Sequence, residues 1–260
     1  MTNDKPDAVR VPARLVVVGA GRAGGALARA ARAAGIEVAV ARRGEARALA
    51  AAAEAVLLCV PDAELERVAR EVADAEPPPR LVGHVSGASP LDVLSAAREA
   101  GAATFSLHPL QTIPHPETDL GGAPCAVAGS HDAALDGARA LARALGMEPF
   151  TVPEEARAAY HAAAAMASNF LIALEESAAE LLAAVGVERP RDILAPLVLR
   201  SAANWAESGR EALTGPIARG DEGTVARHLE ALRRQAPQLL PLYEALAART
   251  RAVARGEEVG

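Results

Sequence analysis

Residues 19–24 read Gly19-Ala20-Gly21-Arg22-Ala23-Gly24, a G-x-G-x-x-G spacing in which each glycine has its own physical task. Gly19 permits a tight turn out of a strand. Gly21 lets the backbone approach a pyrophosphate, and Gly24 lets the following helix pack against the strand, with its N-terminal N–H groups free for phosphate. The spacing is common by itself. Here it follows the β-branched run Arg14–Val18 and opens an alanine-rich segment, which is the strand–turn–helix context that binds a dinucleotide. The alternative is a glycine-rich turn in an ordinary α/β sheet. A second chemical signal ends the next strand, Ala41-Arg42-Arg43. An acid there would accept from a ribose 2′-hydroxyl, whereas guanidinium groups suit a 2′-phosphate, with which arginine pairs bidentately. The implied cofactor is NADP. The alternative is a solvated arginine pair starting a surface helix. Val60 and Pro61, closing the third strand, fall at the same sheet edge and join the expected cofactor set. Ser86, after the fourth strand, either touches the nicotinamide ribose or forms an ordinary turn.

The remaining candidates are polar groups able to move a proton or hold an anion. His108 follows the fifth strand at the carboxyl edge, where ligands bind in open α/β sheets. A histidine there could protonate a developing alkoxide, or it could be a loop histidine held by packing. His161 and Ser168 are seven apart and share a helix face, with Asn169 about a quarter turn away. They read as a donor and a hydrogen-bonding pair facing a cleft, or as satisfied polar groups of a helix interface. His108, His161 and Asn169 are the catalytic candidates. Thr214 and Arg219 flank a glycine- and proline-containing loop before a helix, where a hydroxyl, backbone N–H groups and a guanidinium would suit a substrate carboxylate; Ser168 joins them as a substrate-binding candidate. Asp221 is read as the N-cap of the next helix. The histidines have neither close pairing nor cysteine partners at metal-binding spacing, so no metal is expected.

The elements that must position these residues alternate strand and helix through about residue 152. Strands are expected at Arg14–Val18, Glu37–Ala41, Ala55–Val60, Arg80–Val85, Ala103–Leu107, Cys125–Ala128 and Pro149–Val152. Gly35 closes the first helix, Asp62 caps the helix after the third strand, and Ser89-Pro90 starts another. Strands joined through helices imply right-handed crossovers and a mainly parallel sheet. After Pro153 the strands stop. Glu154–Val185 reads as one helix of about 45 Å at 1.5 Å per residue, followed by helices near Ile193–Glu207, Asp221–Arg234 and Leu239–Arg255. The expected fold is α/β, a Rossmann-type parallel sheet (1–152) followed by an all-helical C-terminal domain (153–260).

Composition excludes several classes. Hydrophobic residues make up 51% and charged ones 23%, which fits a globular chain and not a disordered one. The net charge is −6 without a basic block, which argues against nucleic acid. No apolar run is long enough to span a bilayer, and the first thirteen residues, with Asp4, Lys5, Asp7 and Arg10, do not read as a signal peptide. Cys59 and Cys125 read as small buried hydrophobes in a reducing compartment, so a cytoplasmic protein is expected.

A Rossmann domain followed by a helical domain that opens on a long helix resembles the short members of the 6-phosphogluconate dehydrogenase superfamily, among them pyrroline-5-carboxylate and ketopantoate reductases. It is most similar to a set of short NADP oxidoreductases that pair a Rossmann-like domain with a helical domain of unknown function. The resemblance rests on Ser106-Leu107-His108-Pro109-Leu110-Gln111-Thr112, on Ala164-Ala165-Met166-Ala167-Ser168-Asn169, and on Ala212-Leu213-Thr214-Gly215-Pro216-Ile217-Ala218-Arg219-Gly220-Asp221. It implies NADPH-dependent reduction of a small carboxylate-bearing ketone or imine, a homodimer built on the helical domain, and substrate carboxylate binding on the loop holding Thr214 and Arg219. The sequence departs from the hydroxyacid dehydrogenases and ketopantoate reductases in one respect. They carry a catalytic lysine one turn before the asparagine that Asn169 matches, and this chain has Ala165 there and Lys5 as its only lysine. A ketone substrate then needs another proton donor, while an imine can arrive protonated. The same departure keeps open a non-catalytic NADP-binding regulatory or partner protein.

Overall fold

The computed structural model describes residues 11–257; the N-terminal charged residues and Lys5 lie outside them. Alternation along the strands sets the layers. In β1 (Arg14–Val18), Leu15 and Val17 pack into one buried cluster with Leu27, Leu57, Phe105 and Leu141. Val16 and Val18 pack into a second with Leu58, Leu65, Val68 and Leu94. A strand buried on both faces must be apolar throughout, which is why β1 and β3 (Ala55–Leu58) are continuous aliphatic runs.

The first part of the chain runs β1, α1 (Arg22–Ala33), β2 (Glu37–Ala41), α2 (Ala46–Ala50), β3, α3 (Leu65–Ala73), β4 (Leu81–His84), α4 (Ser95–Glu99), β5 (Ala103–Pro109), β6 (Pro124–Gly129), α5 (Asp132–Ala144), β7 (Glu148–Thr151) and α6 (Arg157–Ala167). The seven strands form one sheet in the order β2-β1-β3-β4-β5-β6-β7. Every pairing is parallel except β5 with β6. No helix lies between those two strands, and without a crossover the chain returns antiparallel. The connection from β1 leads to one side of the sheet and that from β3 to the other, so the carboxyl ends of β1 and β3 flank the topological switch point.

Two expected helix starts are built differently. Asp62 caps nothing: its carboxylate instead accepts the Ser86 hydroxyl at 2.8 Å, and the first turn is a 3₁₀ turn at Asp62–Glu64. Ser89 is not a cap either. The free N–H of Leu91 donates to Glu154 Oε1 at 2.8 Å, so a carboxylate distant in sequence replaces the local one.

The remaining helices are α7 (Asn169–Ala184), α8 (Pro190–Ser208), α9 (Glu222–Gln235) and α10 (Leu240–Ala254). The single helix expected over Glu154–Val185 is divided into a 3₁₀ turn at Glu154–Ala156, α6 and α7. The break falls at Ser168, whose φ of −126° and ψ of −76° leave the helical region. Serine and asparagine bond locally to nearby groups and so compete with helix continuation; here Ser168 Oγ donates to Asn169 Oδ1 at 3.0 Å. The chain divides into two compact units, Met1–Ala165 and Met166–Gly260. In the second, α7 buries only Ala179, and no residue of the nineteen in α8 is buried.

Candidate functional site

The fingerprint closes on itself with no room for side chains. Gly19 has φ +112°, its N–H donates to Ala41 O at 3.0 Å, and a Cβ there would sit 2.4 Å from Cys59 O. A Cβ on Gly24 would sit 1.9 Å from Gly19 O. Gly21 differs, because a Cβ there would meet nothing within 4 Å. It precedes α1 with no side-chain cap and no acid in the first turn, so the helix N-terminus presents free N–H groups to an open approach.

Beside it lies a cleft of about 460 Å³ at the carboxyl ends of β1, β2 and β3, lined by Gly19, Ala20, Arg42, Arg43, Val60 and Pro61. Arg67 also lines it, a contact that the sequence did not reveal. Its guanidinium is held by Glu64 at 2.8 Å and Glu71 at 3.2 Å. Arg42 and Arg43 are exposed, and neither side chain is in an ion pair among the described residues. The Arg42 backbone N–H donates to Glu45 Oε2 at 2.8 Å, which fixes the turn that carries them. A backbone cradle beside two uncommitted guanidiniums fits the pyrophosphate and 2′-phosphate of NADP.

A second cluster lies farther along the carboxyl edge. His84 and Ser106 are register partners at the ends of β4 and β5, with His108 two residues on. The first turns of α6 place Arg157, Tyr160 and His161 on one face, as i, i+3 and i+4 must be. Arg157, only 3% exposed, donates to Ser106 Oγ and to the Ser86 carbonyl, both at 2.9 Å. His108 Nδ1 lies 2.6 Å from the Tyr160 hydroxyl, and the His108 and His161 ring centroids are 6.0 Å apart. Gly87 separates the imidazoles, and a Cβ there would meet His161 Cδ2 at 2.7 Å and His108 Nε2 at 2.9 Å.

This environment favours neutral imidazoles. Burial, then His161 and the Arg157 cation, push His108 down to about 4. Burial and the Arg157 cation push His84 down to about 4 as well. Burial pushes the Tyr160 phenol up to about 12. His84 is fully buried, and its Nδ1 accepts from the Ser86 N–H at 3.2 Å.

The structure thus brings His108 and His161 together and adds Arg157 and Tyr160, which the sequence reading missed. The one available signal was the i, i+3, i+4 spacing ahead of the alanine run. The hydroxyl of Ser86 is committed to its own turn: it donates to Asp62 and accepts from the N–H groups of Ala88 and Ser89 at 3.2 and 2.9 Å. In the second unit, Asn169 opens α7, and Thr214 and Arg219 are exposed in the connection between α8 and α9. Asp221 caps α9 by accepting from the Thr224 N–H at 3.0 Å. Among the described residues no group of histidine, cysteine or acidic side chains could hold a metal, and no helix is long and apolar enough to cross a membrane. Cys59 and Cys125 are free, and burial pushes the Cys125 thiol up to about 12.

A mainly parallel sheet with this fingerprint at its switch point, followed by a helical region, defines a Rossmann-like protein with an appended helical domain. Family comparison agrees: residues 41–109 match a Rossmann-like domain, and residues 123–250 match a domain of unknown function, DUF2520. No curated protein matches the chain. Among solved structures, the fold is similar to BF3122 from Bacteroides fragilis, described as a candidate NADP oxidoreductase, with a TM-score of 0.78 and 22% identity over 94% of this chain and 99% of that one. It is also similar to protein TM1727 from Thermotoga maritima (TM-score 0.72, 22% identity, 93% and 98% of the two chains). Plasmodium falciparum pyrroline carboxylate reductase with NADP bound shares the fold at a TM-score of 0.59 and 13% identity, over 93% and 98% of the two chains.

Proposed function

We propose that the chain is an NADP(H)-dependent oxidoreductase that reduces a small carboxylate-bearing ketone or imine. The observation that carries this reading is the cleft at the switch point, where a side-chain-free cradle lies beside the uncommitted Arg42 and Arg43. Residues 19–24 with Val60 and Pro61 hold the dinucleotide, and the arginine pair holds the 2′-phosphate. NADPH, when bound, supplies hydride. His108 and His161, meeting at Gly87, supply the proton that a lysine provides elsewhere. Ser168, Asn169, Thr214 and Arg219 serve the substrate, with Arg219 pairing with its carboxylate. The similarity in fold to a pyrroline carboxylate reductase with NADP bound supports the imine branch.

The test is NADPH oxidation with ketopantoate, other 2-oxo acids and pyrroline-5-carboxylate offered in parallel. Turnover of one supports the reading and selects the ketone or imine branch. Tight NADPH binding with no turnover of any supports a non-catalytic NADP-binding regulator, the reading that Ala165 in place of lysine favours.

We propose further that the protein is a cytoplasmic homodimer built on the helical region. Support comes from α7 and α8, where Phe170 (63% exposed), Ile193, Leu197 and Trp205 (68%) are large apolar side chains left exposed, the kind of surface that a partner covers.

A further inference from the structure

We propose that Tyr160 is the positioning residue of His108: its hydroxyl donates to Nδ1, fixes the ring proton on Nε2, and so makes Nε2–H of a neutral imidazole the proton donor of the site. This rests on the reductase reading and assigns a role to a residue outside the cofactor set.

The phenol is itself held in place. Its oxygen lies 2.6 Å from Nδ1 with the rings nearly perpendicular, at 87°. Its ring also meets Phe150 edge to face at a centroid distance of 6.0 Å. One turn earlier on α6, Arg157 anchors the same face to Ser106 and to the Ser86 carbonyl. The other edge of the imidazole is turned toward Gly87, where no side chain fits.

Which partner donates follows from acidity. A phenol pushed up to about 12 keeps its proton, and the nitrogen of a neutral imidazole accepts better than a phenol oxygen does. With Nδ1 accepting, the single ring proton must sit on Nε2. The surroundings of the ring act in concert: burial, His161 and Arg157 disfavour an imidazolium, and Asp62 opposes them.

The transfer balances without a second acid. As the Nε2 proton passes to the developing alkoxide or amide anion, the Tyr160 proton passes to Nδ1. The imidazole stays neutral and a phenolate remains; water then protonates Nε2 as the Nδ1 proton returns to the phenolate, which restores the starting tautomer. The partner thus orients and recharges the donor, as an acceptor does for the histidine of a nucleophile–base pair.

Nitrogen NMR of the full-length protein with isotope-labelled histidine reads the tautomer directly and needs no substrate. His108 is assigned by its loss in His108→Gln. The expected result is the Nε2–H tautomer in the wild type and a tautomer mixture in Tyr160→Phe, which keeps the ring contact with Phe150. An Nδ1–H tautomer in the wild type, or an unchanged one in Tyr160→Phe, overturns the proposal. With any substrate found to be turned over, Tyr160→Phe should lower kcat roughly tenfold or more with little change in KM; an unchanged kcat also overturns it. Because the NMR result is independent of turnover, it can fail while the reductase reading stands, and the reverse also holds.

Discussion

The Cβ that Gly24 lacks would lie 1.9 Å from the carbonyl oxygen of Gly19, so the backbone of the first glycine of the fingerprint fills the side-chain space of the third. The obstructing atom is backbone and cannot rotate away. Gly24→Ala must therefore lift α1 from β1. Overpacking of this kind costs about 1–3 kcal/mol, and the lost approach should weaken NADPH binding as well. Thermal unfolding and NADPH titration of the variant check both. Native stability with native affinity would show that the turn is not the cradle described.

The arginines that close the cleft should matter for one cofactor and not the other. Hydrogen bonds to a charged partner contribute about 1.5–3 kcal/mol each. Arg42→Ala with Arg43→Ala should then weaken NADPH binding by at least roughly tenfold and leave NADH nearly unchanged. Calorimetric titration with each cofactor decides it, and equal losses for both would place the 2′-phosphate elsewhere.

Arg157 joins the end of the sheet to α6. Arg157→Met removes the donor to Ser106 Oγ and the Ser86 carbonyl while filling similar volume, leaving buried acceptors unpaired at a cost of about 3 kcal/mol. Losing the nearby cation should also raise the titration point of His108. Urea unfolding measures the first effect and an NMR titration of the labelled histidine the second. A lower titration point would contradict the electrostatic account.

Stability should depend on pH through His84 and His108. Both are pushed from an ordinary 6.5 down to about 4 in the folded chain. Between those values the unfolded chain takes up protons that the folded chain refuses. Stability is therefore fully present above about 6.5 and is lost as pH falls toward 4, by at most about 3 kcal/mol per group. Urea unfolding at several pH values from 7 down to 5, above the range where carboxylates dominate, should show the decline. His108→Gln should show a shallower one, and an identical slope would remove His108 from the account.

A homodimer built on α8 would bury Ile193 and Leu197, which are four residues apart on one face and 57% and 64% exposed. Ile193→Asp with Leu197→Asp should convert a dimer into a monomer in sedimentation equilibrium without unfolding the sheet. A wild-type monomer would remove the dimer.

The sequence by itself determined whatever depends on neighbouring residues. Glycine spacing dictates the turn, the aliphatic runs of β1 and β3 follow from burial on both faces, and Asp221 caps its helix three residues from its partner Thr224. It also placed His108 at the carboxyl edge, since strand polarity fixes which end of the sheet it occupies, although β5 runs on through Pro109 and holds His108 within the strand, paired with Ala126, where the expected strand stopped at Leu107. The tertiary structure decided the rest, because the contacts join residues far apart in the chain. Tyr160 meets His108 across 52 residues, Arg157 reaches Ser106 across 51, and Glu154 satisfies Leu91 across 63. Asp62 and Ser89 each have the local pattern of a helix cap, and in both cases the folded chain supplied different hydrogen bonds. A local pattern states what a side chain is able to bond; only the packing of distant segments determines which partner is within reach.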